Sequence, residues 1–145
     1  MNTLDKLKIW LISQEFECNV EYGNGFFYDS IEDTIIIGNE DPDHMCLFKE
    51  YCRKLGLKKD ISNKTLAFLH ELGHEETMPI LPEKYFLIDY LRCILETPSL
   101  TKFGRNIKAS LYYRLPVEKV ATMWAVNLIN NYPVLVNRLE KAFDN

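Results

Sequence analysis

Features typical of membrane, secreted and nucleic-acid-binding proteins are missing from this sequence. No apolar stretch approaches the roughly 20 residues that a membrane-spanning helix needs. The opening residues place charges among apolar side chains at helical spacing and lack a small-residue cleavage site, so they do not resemble a signal peptide. With 17 Lys and Arg against 21 Asp and Glu, the net charge of -4 disfavours a phosphate-binding surface. We therefore expect a cytoplasmic protein that binds neither membrane nor nucleic acid.

Cysteine is scarce, and its spacing excludes the common cysteine frameworks. The four cysteines, at positions 18, 46, 52 and 93, form no Cys-x-x-Cys pair and no pattern typical of small secreted scaffolds. Cys46 and Cys52 are six residues apart and would not share a helix face, which makes them poor joint metal ligands. We interpret all four as reduced thiols in the core.

The composition is that of one globular unit. A chain of 145 residues with 47% apolar side chains can bury a single core, and it contains no repeat or linker-like segment. We therefore treat residues 1–145 as one domain. The sequence does not indicate an oligomeric state.

The sheet is predicted from alternation and turn residues near the N-terminus. Residues 16–22 alternate apolar and polar side chains, which is typical of a strand with one wet face. Gly23-Asn24-Gly25 predicts a turn, residues 26–29 a second strand, and residues 34–37 a third strand after another turn. We expect these strands to form a three-stranded antiparallel meander.

Helical periodicity accounts for most of the remaining chain. Proline at the first helical position and Ser62 or Asn63 as a cap mark several helix starts. The predicted helices are residues 1–12, 42–56, 63–77, 83–96, 103–113, 116–130 and 133–143. Because the strands come first and most of the helices follow, the expected class is α+β, with a small antiparallel sheet packed on a mainly helical domain.

The pentapeptide His70-Glu71-Leu72-Gly73-His74 contains two of the three histidines and matches the HExxH zinc-hydrolase motif. Side chains four residues apart lie on the same face of a helix, so both imidazoles can bind one Zn²⁺ ion. Glu71, beside them, is positioned to act as the general base that takes a proton from an attacking water.

A catalytic zinc site needs a third protein ligand, and several residues could supply it. The metzincin arrangement is excluded, because its glycine and third histidine positions hold Thr77 and Ile80. The remaining candidates are Glu83, Asp89, Glu96, Glu118 and His44. Glu96 precedes a helix end at Thr97-Pro98, whereas His44 follows a helix start and is expected at the surface.

Glu118 stands out among these candidates because small residues follow it on one helix face. Ala121, Thr122 and Ala125 lie three, four and seven residues further on. Small side chains permit the close helix approach that a short carboxylate arm would need. Glu118 could instead simply stabilise a helix N-terminus next to Pro116.

Two sequence blocks resemble the ImmA/IrrE-like metallopeptidases, a gluzincin group found in phages and mobile elements. Residues 67–74 are similar to the family's LAHELGH block, and residues 118–133 to its ExxANxFAxxLLxP block, with Thr122 where the family has Asn. The resemblance covers residues 25–134. It implies a zincin-like fold in which His70, His74 and Glu118 bind zinc and Glu71 is the catalytic base.

Other catalytic roles depend on residues without a fixed motif. An oxyanion donor could come from Tyr112, Tyr113 or Arg114, of which we include Tyr113 and Arg114 in the predicted site; aromatic packing with an exposed arginine is the alternative. Gly73 would admit either a substrate backbone or a tightly packed helix. The strand at residues 34–37 could be an edge to which an extended peptide adds.

The expected function is hydrolysis of a peptide bond in a specific protein, which the resemblance suggests is a regulator of a phage or mobile element. The alternatives are a non-catalytic scaffold that binds a regulator around a structural zinc, and a hydrolase of non-peptide amides. The presence of Glu71 favours an enzyme, because a structural zinc site has no need of a base.

Overall fold

The computed structural model describes residues 16–82 and 101–144, and this part of the chain has an α+β architecture as expected. The strands are β1 (Asn19–Tyr22), β2 (Phe27–Asp29) and β3 (Thr34–Ile37). The helices are α1 (Pro42–Lys54), α2 (Asn63–Thr77), α3 (Lys102–Tyr113), α4 (Pro116–Asn131) and α5 (Pro133–Asp144), with a short 3-10 turn at Met78–Ile80 after α2. The helices predicted at residues 1–12 and 83–96 lie outside the described residues.

The prediction of an antiparallel meander is wrong, because the sheet is mixed and its order is β1-β3-β2. β2 pairs antiparallel with β3, whereas β1 pairs parallel with β3 in the register Asn19 to Thr34. β3 is the most apolar strand and is largely buried, so it takes the centre, and the polar β1 takes an edge. The expectation that residues 34–37 form an edge is therefore also wrong.

Glycines at the end of the sheet allow the chain to cross over instead of forming the predicted hairpin. Gly23 donates its backbone N–H to the Ile37 carbonyl at 2.9 Å. A Cβ on Gly38 would lie 2.2 Å from the Gly23 carbonyl oxygen, so the two segments touch backbone to backbone. This contact keeps β1 beside β3 and sends the chain past the end of β3 to begin β2.

Capping residues set the helix starts where the sequence predicts them. The Asp41 side chain accepts from the N–H groups of Asp43 and His44 at the start of α1. Ser62 caps α2 by accepting from the Thr65 N–H at 3.3 Å. Glu140 of α5 accepts from both the Ser62 backbone N–H at 3.0 Å and its hydroxyl at 2.9 Å, so the last helix holds the start of α2.

Helix α2 lies in the core, with α4, α5 and the sheet packed around it. Its residues Leu66, Phe68 and Leu69 are fully buried, and Phe68 contacts Phe143 of α5 edge to face. A polar or ionisable side chain on this helix is consequently withdrawn from water unless it faces a cleft.

The described cysteines are free thiols. Cys18 and Cys52 are buried as expected, and burial raises the pKa of each to about 12. Cys46 is exposed, contrary to the expectation that all four lie in the core, and Cys93 falls outside the described residues. Within residues 16–82 and 101–144, no helix combines the length and apolar character needed to cross a membrane.

Candidate metal centre

Helix α2 presents His70 and His74 on one face, one turn apart. Their ring centroids are 4.7 Å apart, and the residues are only 8% and 3% exposed. Phe48 of α1 packs edge-on against the His70 ring at 5.1 Å. The HExxH segment is therefore helical, and its histidines have little rotational freedom.

Helix α4 brings Glu118 to these histidines by packing very close to α2. The predicted small-residue face is the contact surface, with Ala121, Thr122 and Ala125 all fully buried. A Cβ on Gly73 would lie 2.5 Å from the Ala121 carbonyl oxygen, so the α4 backbone occupies the space that glycine leaves. Of the two interpretations of Gly73, the structure supports tight helix packing.

The three predicted ligands form a buried cluster centred on one carboxylate oxygen. Glu118 Oε2 lies 2.9 Å from His70 Nε2 and 3.0 Å from His74 Nε2, and Glu118 is 1% exposed. Burial opposes ionisation of Glu118, but hydrogen bonding and the charges of the two histidines hold its pKa well below the usual range. Among the other third-ligand candidates, Glu83, Asp89 and Glu96 lie outside the described residues.

Thr122 determines which His70 nitrogen is available to a ligand. Its hydroxyl donates to the Glu118 carbonyl at 2.8 Å, so at 3.1 Å from His70 Nδ1 it can only accept. His70 Nδ1 then carries a proton. In the neutral ring, Nε2 therefore directs a lone pair at Glu118 Oε2, and only an imidazolium could donate a hydrogen bond to that oxygen. A cation among these atoms satisfies both groups with a neutral imidazole.

The donor set fits a metal ion such as zinc. The ligand atoms of His70, His74 and Glu118 all lie within 4.8 Å of one another. Ligands bound about 2.0–2.1 Å from a tetrahedral zinc are roughly 3.3 Å apart, close to the nitrogen–oxygen distances seen here. Two neutral imidazoles and one carboxylate are a common protein set for a catalytic zinc, and they leave a fourth position for water or substrate.

A cleft of about 530 Å³ opens beside this cluster, and both His70 and Glu71 line it. Its other walls come from the segment before β2, the loop between β3 and α1, α1 itself and helix α3. Glu71 is half-buried, so its carboxylate can face a molecule in the cleft while the residue lies next to His70.

Two adjacent tyrosines at the end of α3 have different surroundings. The Tyr112 hydroxyl donates to Glu118 Oε1 at 2.6 Å, which leaves Oε2 to the histidines. Tyr113 is 3% exposed, with its hydroxyl 2.9 Å from His44 Nε2, and Tyr51 stacks on its ring. Burial raises the pKa of Tyr113 and lowers that of His44. The hydroxyl that contacts the His70, His74 and Glu118 cluster therefore belongs to Tyr112.

Of the predicted catalytic residues Tyr113 and Arg114, only the first lines the cleft. Tyr113 lines the cleft, whereas Arg114 is an exposed residue at the C-cap of α3 and is not part of the cleft wall. The oxyanion role assigned to Tyr113 and Arg114 stays a prediction. Sequence reasoning treated Thr122 only as a small residue of the packing face and missed its hydrogen bond to His70; its position four residues after Glu118 was the available signal.

Protein-family models, curated proteins and solved structures were compared with this chain, and none of them matches.

Proposed function

We propose that this protein is a zinc-dependent metallopeptidase in which His70, His74 and Glu118 hold the metal. The observation that supports this most strongly is the buried convergence of the three ligand atoms around Glu118 Oε2, beside a cleft that Glu71 also lines. A divalent cation would bind this carboxylate and both imidazoles at once, without requiring protonated histidines.

A zinc ion at this position would supply Lewis-acid chemistry that polarises a substrate carbonyl and lowers the pKa of water. Glu71 accepts a proton as water attacks the peptide carbonyl carbon. It then returns this proton to the leaving nitrogen as the C–N bond breaks. Thr122 orients His70, and Tyr112 holds the second carboxylate oxygen of Glu118.

The substrate we propose is a protein or peptide segment that enters the cleft in an extended form. The cleft combines apolar walls, including Phe26 and Met45, with charged groups, as a peptide with mixed side chains requires. By resemblance, a regulatory protein of a phage or mobile element is the expected target.

Bound zinc and peptide cleavage, measured together, test this proposal. Native protein and Glu71→Gln are compared for zinc content by mass spectrometry and for cleavage of an internally quenched random peptide library and of candidate regulators. We expect both chains to hold one zinc and only the native chain to cleave. Glu76→Gln is the matched control, because it makes the same charge change on an exposed residue of the same helix.

The ligand assignment has its own test. Glu118→Ala should lose most of its zinc, whereas Glu96→Ala should retain it. Zinc retained by Glu118→Ala and lost by Glu96→Ala would overturn the assignment. If the native chain and Glu71→Gln both bind zinc and have the same effect on a target in vivo, the protein is a binding scaffold and not an enzyme.

A further inference from the structure

His44 is the third histidine of the chain, and it lines the same cleft as His70 and Glu71. It lies in the first turn of α1 and is exposed. Among the residues that the structure describes, the group that could hold a metal ion consists of His70, His74 and Glu118, without His44. The side chain of His44 therefore belongs to the cleft wall and not to the metal-binding group.

Helix α1 places His44 one turn from a side chain that touches a predicted metal ligand. Phe48, four residues later, packs against the His70 ring with the two centroids 5.1 Å apart. At 1.5 Å per residue, His44 is about 6 Å from Phe48 along the helix axis and lies on the same helix face. His44 is consequently a neighbour of the metal-binding group, on the side where the cleft opens.

Tyr113 holds the His44 ring from below the cleft wall. Its hydroxyl lies 2.9 Å from His44 Nε2, 3.1 Å from Nδ1 and 3.1 Å from the His44 carbonyl oxygen. Tyr113 is itself fixed, because Tyr51 stacks on its ring and Phe48 packs beside it. One hydroxyl proton serves one acceptor at a time, so the Tyr113 contact cannot satisfy both ring nitrogens.

The protonation of the ring follows from its surroundings. Burial lowers the pKa of His44, so its imidazole is neutral near pH 7 and has one N–H and one lone pair. When the Tyr113 hydroxyl donates to the lone pair of one nitrogen, the proton is on the other. Within the described part of the chain, no side chain other than Tyr113 hydrogen-bonds to the ring. The remaining N–H is thus available to a molecule in the cleft.

We propose that His44 is a catalytic residue that donates its ring N–H to the carbonyl oxygen of the scissile peptide bond. This inference rests on the proposed peptidase function. As the water oxygen bonds to the carbonyl carbon, the π electron pair of the C=O bond moves to the carbonyl oxygen, which becomes negatively charged. His44 stabilises this charge by a hydrogen bond and keeps its proton. Tyr113 is a positioning residue that acts through His44 by fixing its tautomer.

Two substitutions of His44 test this role. His44→Phe keeps an aromatic ring against Tyr113 but removes the N–H, whereas His44→Gln keeps a side-chain N–H. Both are compared with the native chain on the peptide that it cleaves fastest in the quenched library. Cys46→Ala is the control, because Cys46 is an exposed residue of the same helix outside the cleft wall. Zinc content and thermal unfolding are measured for every chain, so that misfolding is recognised.

We expect His44→Phe to lower kcat about 100- to 1,000-fold, with KM and zinc content close to native, as the loss of one oxyanion donor does. His44→Gln should be at least about tenfold more active than His44→Phe, and Cys46→Ala should behave as native. Native kcat in His44→Phe, a loss confined to KM, or a His44→Gln chain no more active than His44→Phe would each overturn the inference.

Binding of a transition-state analogue gives a second measurement that does not depend on catalysis. A phosphinic analogue of the same peptide has a tetrahedral, negatively charged group at the cleaved bond. In zinc-loaded Glu71→Gln, adding His44→Phe should weaken binding of this analogue about tenfold or more and change binding of the parent peptide by no more than about twofold. Equal weakening of both would contradict a transition-state role. A native chain without zinc or cleavage contradicts the peptidase proposal itself, whereas native cleavage that His44→Phe leaves intact contradicts only the role of His44.

Discussion

Replacing Gly73 by Ala would test whether the distance between α2 and α4 controls the metal centre. The added Cβ would lie 2.5 Å from the Ala121 carbonyl oxygen and 3.1 Å from both its carbonyl carbon and its Cα. These atoms are backbone and cannot rotate away. Because ordinary carbon contacts need about 3.5 Å, the helices must separate by roughly 0.5–1 Å.

Two opposing contributions determine how Gly73→Ala changes the free energy of unfolding. Replacing glycine by alanine inside a helix normally stabilises it by about 0.5–1 kcal/mol, whereas overpacking a tight contact costs about 1–3 kcal/mol. We therefore expect a net loss of about 0.5–2 kcal/mol in the free energy of unfolding. Glu118 lies one turn before Ala121, so the separation also moves its carboxylate from His70 and His74. Zinc affinity should fall about tenfold or more.

Urea unfolding of the metal-free protein and zinc titration against a chromogenic chelator measure the two effects. Gly56→Ala is the control: Gly56 has φ of 106° and no contact within 4 Å of a built Cβ. This variant should lose about 1 kcal/mol through backbone strain while zinc affinity stays unchanged. A Gly73→Ala protein at least as stable as the native chain, with unaltered zinc affinity, would refute the reasoning.

Three further substitutions probe the surroundings of the site. Thr122→Val leaves His70 Nδ1 without its buried hydrogen-bond partner, so zinc affinity should fall about 10- to 100-fold. Thr122→Ser keeps the hydroxyl and should retain native affinity. Chelator titration measures the zinc affinity of both variants. Tyr112→Phe removes the 2.6 Å hydrogen bond to Glu118 and should lower zinc affinity about tenfold by the same titration, whereas an effect on cleavage alone would contradict a positioning role. Burial, with Asp33 and Glu76 nearby, raises the pKa of Glu75 from 4.5 to about 7. The folded state therefore holds this proton more tightly than the unfolded state does. The stability that this proton contributes is fully present below pH 4.5 and is lost as the pH rises through 7. Solvent screens this half-exposed group, so the effect is small. As the pH is raised from about 5 to 8.5, the native chain should lose about 1 kcal/mol more unfolding free energy than Glu75→Gln, as measured by thermal unfolding. Glu76→Gln should behave like the native chain.

The sequence predicts the juxtaposition of His70, His74 and Glu118 well because its signals are local and reinforce one another. The spacing of His70 and His74 fixes a shared helix face, and the glycine and alanines facing each other on α2 and α4 permit the approach of Glu118. Both signals follow from helix periodicity, which can be counted along the sequence of this chain.

Strand pairing and side-chain direction were harder to predict. Alternation locates β1, β2 and β3 but does not say which strands are neighbours, and that choice depends on the backbone contact between Gly23 and Gly38 and on the burial of β3. Tyr112 and Tyr113 differ by about 100° around the axis of α3. The packing of α3 against α1 therefore decides which tyrosine reaches Glu118, and no pattern within α3 specifies that packing.

The sequence separation of the ligands gives the metal centre a second consequence. His70 and Glu118 are 48 positions apart along the chain and lie on different helices. A zinc ion that joined them would act as a crosslink, and closing a loop of this length removes about 4 kcal/mol of chain entropy from the unfolded state if the link persists there. When unfolding breaks the link, the chain releases its ion. If the proposed zinc binds here, the folding equilibrium of this protein is coupled to the free zinc concentration around it.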